Sequence, residues 1–203
     1  MAFDKATMIS EMKQFMSKDD PSFTGFPTDE NDFASKMSAA YDAAGGASED
    51  TSTDAVLTKN PTGMETALQS VVSGNTAAQG ASAFGTGFSS YWTGATFAIG
   101  TVPTGATPCT GGSPACPNVG GNTIFASEIT SVVTAVVPAP IIAALTTEFG
   151  IIEENDADAK IDAIADHLEA ATQADVTVLI SGLDTTPPPS GGPMPITNTC
   201  CVF

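Results

Sequence analysis

Residues 155–184, N-D-A-D-A-K-I-D-A-I-A-D-H-L-E-A-A-T-Q-A-D-V-T-V-L-I-S-G-L-D, contain two kinds of hydrophobic pattern in succession. The first pattern has apolar residues at helical spacing, with acidic residues between them, and Asn155 or Asp156 in position to cap the helix. The apolar positions are Ile161, Ile164, Leu168 and Ala171. After residue 175 the period changes to two, because Val176, Val178 and Ile180 alternate with their neighbours. This change predicts a helix that leads into a strand, and hence a mixed α+β fold.

Upstream of this stretch, local signals predict further helices. Helix-start signals stand at Asp4, Thr28, Asn60 and Pro138, each a cap residue or a proline that fits the first turn. The helix after Asn60 has an apolar register that can continue past Gly74 towards Tyr91, although each internal glycine weakens it by about 1 kcal/mol. The prediction is therefore a mainly helical domain with a few β-strands.

Three segments give weaker signals. Residues 47–60 are polar and are interpreted as a loop, whereas residues 92–108 are rich in aromatic and branched residues and are predicted to be extended. For residues 124–137 the sequence does not decide between a helix and a strand. Their β-branched residues favour a strand, but the spacing of Val132, Val133, Val136 and Val137 fits a helical face better than a period of two.

The C-terminal segment is predicted to be an extended arm. Residues 187–189 are three prolines in a row, which block a helix and keep the backbone extended. Four apolar residues follow towards the end of the chain: Met194, Ile196, Val202 and Phe203. We therefore expect a globular domain over residues 1–183 and an arm over residues 184–203 that docks on another subunit. Deleting residues 185–203 is then expected to leave the melting temperature of the monomer nearly unchanged but to weaken assembly.

Charge excludes one class of partner. The chain has a formal net charge of -17, and its six basic residues are all lysines. Because nucleic-acid affinity comes largely from cations that displace counterions from phosphate, such a chain is not expected to bind nucleic acid. No uninterrupted apolar run is long enough for a membrane span, and the first residues lack the pattern of a secretory signal. Synthesis in the cytosol, without a membrane partner, is the expectation.

The groups that carry catalysis are few. His167 is the only histidine, so a site with two histidines is excluded within one subunit. No Gly-x-Ser-x-Gly turn accompanies it, and no phosphate-binding glycine loop is present. His167 is therefore interpreted as structural, and neither a catalytic residue nor a cofactor is predicted.

Acidic clusters at residues 29–32, 49–54 and 153–158 are the remaining candidates for ion binding. An EF-hand loop counted from Asp156 would need glycine and glutamate where Ile161 and His167 stand, so that pattern fails. Helix capping accounts for the first and third clusters, and no metal site is predicted.

Cys109 and Cys116 bracket six residues that include two glycines and a proline. This spacing is wrong for a zinc knuckle, whereas the turn-forming residues allow a disulfide that closes a small loop. A disulfide is predicted, with free thiols as the alternative.

These observations favour a structural subunit of a large protein assembly, without catalytic activity. A virion, a phage tail or neck, or an injection-like particle fits a chain that lacks a signal sequence and has a tail able to reach a neighbour. The expected partners are further copies of the chain and other structural subunits, and the expected location is a virion or an extracellular particle. The alternative is an unrecognised hydrolase or a calcium-dependent binding module.

Overall fold

The computed structural model describes residues 3–49, 55–98, 130–151, 157–184 and 194–201. Within these ranges the chain forms six helices and five strands. The helices are α1 (Lys5–Met16), α2 (Glu30–Gly45), α3 (Pro61–Leu68), α4 (Ala77–Trp92), α5 (Ala139–Gly150) and α6 (Ala157–Asp175). The strands are β1 (Val56–Thr58), β2 (Thr96–Phe97), β3 (Thr130–Val136), β4 (Val176–Asp184) and β5 (Met194–Cys201). The predicted fold class, a mainly helical α+β domain, is confirmed.

Side-chain caps fix where the helices begin. The carboxylate of Asp4 accepts the backbone N–H of Thr7 at 3.0 Å, and the side chain of Asn60 accepts that of Gly63 at 2.9 Å. These bonds satisfy donors that a helix leaves free in its first turn, which confirms two predicted starts.

The start of α2 differs from the prediction by one residue. Asp29, rather than Thr28, is the cap, because the Asp29 carboxylate accepts the backbone N–H of Asp32 at 2.8 Å. The backbone N–H of Thr28 instead donates to the side chain of Asp32 at 2.8 Å.

The chain between Asn60 and Tyr91 does not form one continuous helix. Helix α3 ends at Leu68 and α4 begins at Ala77. Gly74 lies between them with a φ of +93°, a left-handed conformation that glycine adopts without strain. Thr76 then starts the new helix through a capping box with Gln79.

The six helices form a ring in chain order. Each helix packs against the next one along the chain, and α6 packs back against α1. The ring encloses the fully buried aromatic side chains Tyr41, Phe88, Tyr91 and Trp92. The apolar positions predicted for α6, namely Ile161, Ile164, Leu168 and Ala171, are buried in the same core.

A five-stranded sheet lies against α4 and α6, which contact β3, β4 and β5. The strand order is β1–β2–β3–β4–β5, and each neighbouring pair is antiparallel. Helix α6 runs directly into β4, as the change of hydrophobic period predicts.

Residues 130–136 form a strand, so the preference for a helical face there is wrong. The backbone of β3 pairs with β4, for example Val133 with Val178 and Val136 with Val176. A register irregularity between Val133 and Ala135 shifts the alternation, which explains why the valine spacing departs from a period of two. Residues 124–129 lie outside the described ranges.

Two neighbouring expectations are also corrected. The segment 47–60 contains β1, whose three residues are too short to leave a sequence pattern. In the segment 92–108, Trp92 belongs to α4 and the strand covers Thr96–Phe97 alone among the described residues, which end there at Ala98.

The C-terminal segment lies partly on the sheet of its own chain. Strand β5 pairs with β4 over its whole length, from Thr177 opposite Cys201 to Asp184 opposite Met194. The backbone is extended, as expected, but residues 194–201 belong to the sheet of the domain. The predicted boundary at residue 183 stays a prediction. Residues 185–193, 202 and 203 lie outside the described ranges.

Candidate functional site

A buried chain of hydrogen bonds joins α2, α4 and α6. The indole Nε1 of Trp92 donates to the Tyr41 hydroxyl at 2.7 Å, and that hydroxyl lies 3.0 Å from Oγ1 of Thr172. Thr172 Oγ1 itself donates to the carbonyl of Leu168 at 2.8 Å. The proton of Thr172 is thus used, so Tyr41 must be the donor in their shared bond. All three polar side chains are fully buried and paired, and burial raises the pKa of Tyr41. The arrangement holds the core together and keeps Tyr41 neutral.

A second polar cluster lies next to it. The Tyr91 hydroxyl donates to Oδ1 of Asp42 at 2.9 Å, and Nζ of Lys59 lies 2.8 Å from the same oxygen. Burial raises the pKa of Tyr91, and the neighbouring carboxylate adds to the shift. Because Asp42 is shared between a phenol and an ammonium, the cluster ties α2 to α4 and to the segment before α3.

His167 lies on α6 and is half-buried. Among the described residues no side chain forms a hydrogen bond with it. Its neighbour Asp166 accepts from Lys5 of α1 at 2.7 Å, so that carboxylate serves the contact between the helices. The interpretation of His167 as a structural residue stays a prediction.

Three of the described carboxylates of the acidic clusters, those of Asp29, Asp32 and Asp158, have partners within the chain. Asp29 caps α2, and Asp32 accepts from Lys36 at 2.9 Å. Asp158 accepts from Lys13 at 2.9 Å, and this ammonium holds the pKa of Asp158 below its ordinary value. In the described part of the chain no group of three or more His, Cys, Asp or Glu side chains is placed to hold a metal ion.

Charge is divided between the two halves of the helical ring. Residues 66–147 contain a single charged residue, Glu128, and every other charge lies before or after them. The ring order places α6, α1 and α2 side by side, and these three helices carry most of the described charges. The helices α3, α4 and α5 form the opposite side. We call the first three helices the acidic half and the last three the neutral half.

The neutral half is uncharged apart from its two borders. Helix α4, at its centre, has no charged residue. The single charged residue of α3 is Glu65, and that of α5 is Glu148, which pairs with Lys160 of α6 at 3.0 Å. The three helices of the neutral half thus contribute two charged residues to a chain whose net charge is -17.

Most of the lysines form ion pairs within the chain. All of them except Lys18 form ion pairs: Lys5, Lys13, Lys36, Lys59 and Lys160. Most of these pairs lie within the acidic half or at its borders, so few cations remain to face a partner. The acidic half therefore presents excess negative charge to solvent.

A groove on the neutral half is the candidate functional site. Its volume is about 410 Å³, and it lies between α3, α4 and the segment that joins them. The residues that line it are Thr66, Ala67, Ser70, Asn75, Gln79, Ser82, Ala83 and Thr86. They are small or amide-bearing and none is charged. The groove can form hydrogen bonds and close van der Waals contacts, but it offers no nucleophile–base pair and no ion-binding set.

None of the residues predicted as site residues is among the described residues that line this groove. Cys109, Cys116, Val202 and Phe203 are outside the described residues, whereas Met194 and Ile196 lie on β5 opposite Asp184 and Gly182. The sequence predictions did not include the groove. The long uncharged stretch around α4 was the available signal, but its meaning depends on which helices the fold places side by side.

Comparisons with known proteins give no relative: no family model, no curated protein and no solved structure matches this chain. Among the described helices, none is both long and apolar enough to cross a membrane.

Proposed function

We propose that this chain is a structural subunit of a large protein assembly, such as a virion, a phage tail or neck, or an injection-like particle, and that it has no catalytic activity. The observation that supports the proposal is the neutral half of the helical ring. Subunit interfaces are depleted of charged residues at their centre, and α3, α4 and α5 provide such a surface. Further copies of the chain and other structural subunits are the proposed partners.

The division of charge also favours contact between copies through one particular side of the subunit. Two chains that each carry a net charge of -17 repel one another unless their acidic surfaces point apart. Contact through the neutral halves keeps the acidic halves in solvent, where they favour solubility. This surface also repels nucleic acid, so the proposed position is on the protein shell or tube of a virion or extracellular particle.

The association of the purified chain tests the proposal. Native mass spectrometry and negative-stain electron microscopy should show oligomers whose share grows with protein concentration. Added monovalent salt should increase that share, because it screens the repulsion between the acidic halves. A chain that stayed monomeric at all accessible concentrations and ionic strengths would contradict the proposal.

A hydrolase screen and a calcium titration address the alternative function. An enzyme should release product from a panel of ester, glycoside and peptide substrates, and a calcium-dependent module should give a saturable calorimetric signal. The proposal expects neither result, since the described carboxylates of Asp29, Asp32 and Asp158 in the acidic clusters already serve a cap or an ion pair.

The disulfide between Cys109 and Cys116 remains a prediction from the sequence. We expect non-reducing peptide mapping of aerobically isolated protein to find these two residues linked. Closing so short a loop should stabilise the domain by about 2–3 kcal/mol, chiefly by restricting the unfolded chain. Alkylation of both thiols in intact protein, without prior reduction, would exclude the link.

A further inference from the structure

We propose that the loop between α1 and α2 binds a basic segment of another structural subunit, whose arginine or lysine side chains lie against an exposed pair of phenylalanines. The loop comprises residues 17–29, and we call it the α1–α2 loop. The inference rests on the proposed function for the kind of partner. It concerns the acidic half of the ring, which contact between the neutral halves leaves accessible.

The α1–α2 loop carries the aromatic pair on its surface. The rings of Phe23 and Phe26 meet edge to face, with their centroids 5.0 Å apart. Five large apolar residues are exposed in the described part of the chain, and Phe26, at 60% exposure, is the only aromatic one among them. Covering such a ring is favoured by the hydrophobic effect, and the face of the ring attracts a cation.

Hydrogen bonds hold the loop in this shape. The backbone N–H of Thr24 donates to the carbonyl of Gln14 in α1 at 2.8 Å, and the Thr24 hydroxyl donates to the same carbonyl at 3.0 Å. The carboxylate of Asp20 accepts the backbone N–H of Ser22 at 2.8 Å and its hydroxyl at 2.6 Å. Because the loop is already ordered, it loses little conformational freedom when a partner covers the aromatic pair.

The charges around the loop favour a basic occupant. Residues 17–32 contain five carboxylates and a single cation, that of Lys18. Asp19 and Glu30 are exposed, one on each side of the aromatic pair in the chain. A guanidinium or ammonium stacked on Phe26 can pair with one of these carboxylates, so the cation–π contact and the ion pair strengthen the same complex.

The same charges disfavour the other occupants. A second copy of the chain would bring the same excess of carboxylates to this loop, and it has no arginine to offer. Five of its six lysines already form ion pairs. Nucleic acid and an anionic lipid surface would both be repelled. The basic segment therefore belongs to a different protein.

Two labelled peptides serve as probes for the full chain. In the first, arginine alternates with leucine, and in the second, glutamate replaces every arginine. Fluorescence anisotropy at physiological ionic strength should show saturable binding of the arginine peptide and no binding of the glutamate peptide. In amide NMR spectra, the largest shifts caused by the arginine peptide should fall on residues 17–32.

An exposed apolar residue elsewhere provides the matched control for the aromatic ring. Phe26→Ala should weaken binding of the arginine peptide about tenfold, because it removes both the aromatic face and the apolar area of the ring. Leu57 of β1 is 67% exposed, and Leu57→Ala should change the affinity by less than about twofold. Both variants should keep the melting temperature of the unmodified chain, since both side chains are exposed.

A pair of charge variants separates the local carboxylates from the net charge. Asp19→Asn/Glu30→Gln should weaken binding about fivefold, since each carboxylate contributes one pairing site for arginine. Asp162→Asn/Glu65→Gln removes the same two residue types from α6 and α3. Its effect should stay below about twofold, because salt screens charges that do not contact the peptide.

Three results would overturn the inference while the proposed function stands. They are no saturable binding of the arginine peptide, equal weakening by Phe26→Ala and Leu57→Ala, and equal weakening by the two charge variants. A melting temperature of Phe26→Ala more than about 2 °C below that of the unmodified chain would also overturn it, because the chain itself would then cover the ring.

Self-association distinguishes this inference from the proposed function. Analytical ultracentrifugation should find it unchanged in Phe26→Ala, because the ring lies outside the neutral half. A chain that binds the arginine peptide through residues 17–32 but never self-associates would support the basic contact and contradict the proposed function.

Discussion

Replacing Trp92 with alanine is expected to lower the free energy of unfolding by about 3–5 kcal/mol. Trp92 is fully buried at the end of α4, and its ring packs against Tyr91 with centroids 5.0 Å apart. Its indole is also the donor that begins the hydrogen-bond chain through Tyr41 and Thr172. The substitution therefore creates a large cavity and removes a buried bond at the point where three helices meet.

Thermal melting followed by circular dichroism measures this effect. For a chain of this length each kcal/mol shifts the melting temperature by about 2–4 °C, so a decrease of roughly 6–20 °C is expected. Trp92→Phe is the control, because it keeps most of the apolar volume and removes the N–H donor. The melting temperature of Trp92→Phe should fall by less than that of Trp92→Ala. A melting temperature for Trp92→Ala within about 2 °C of the unmodified chain would contradict the position of Trp92 in the core.

Deleting residues 194–203 is expected to lower the melting temperature by more than about 5 °C, in contrast to the unchanged value that an independent arm would give. Strand β4 has nine residues, and each of them except the first is paired with a residue of β5, which gives eight pairs. Each hydrogen bond lost from such a ladder contributes about 0.5–1.5 kcal/mol net. The deletion removes these bonds and leaves β4 as the edge of the sheet.

Hydrogen exchange of β4 provides a direct readout. Amides within Val176–Asp184 that donate to β5 should exchange faster in the deletion variant. Deletion of residues 202 and 203 alone is the control and should leave β4 protected, because it keeps the whole of β5. If β4 retained its protection without β5, the pairing of these strands would be refuted and the arm would be independent after all.

Helix starts were the most predictable part of the fold. Asp4 and Asn60 cap the helices that the sequence assigned to them, and Pro138 precedes α5 as expected. The core positions of α6 were equally predictable, since apolar residues such as Ile161 and Leu168 stand at helical spacing. These features depend on neighbours within four residues, and the sequence displays such neighbours directly.

Strands were predicted less well. In β3 the irregularity after Val133 breaks the period, so the valines there fit a helix as well as a strand. Strand β1 has three residues, and β5 belongs to a segment whose prolines suggested an independent arm. Each of these strands is held by hydrogen bonds to a partner, and β2 and β3 are paired across more than thirty intervening residues. The pairing energy lies in contacts that a local pattern does not contain.

For the candidate site, too, some features follow from the sequence and others depend on the tertiary structure. The amino-acid sequence alone establishes the net charge of -17, the absence of arginine, the single histidine and the uncharged stretch of residues 66–147. It does not show that α3, α4 and α5 lie side by side, or that α6 returns to α1 and gathers the carboxylates on the opposite half. Composition and caps are properties of single residues and their near neighbours. A surface is formed by residues far apart in the chain, so the groove between α3 and α4 exists only once hydrophobic burial has closed the ring.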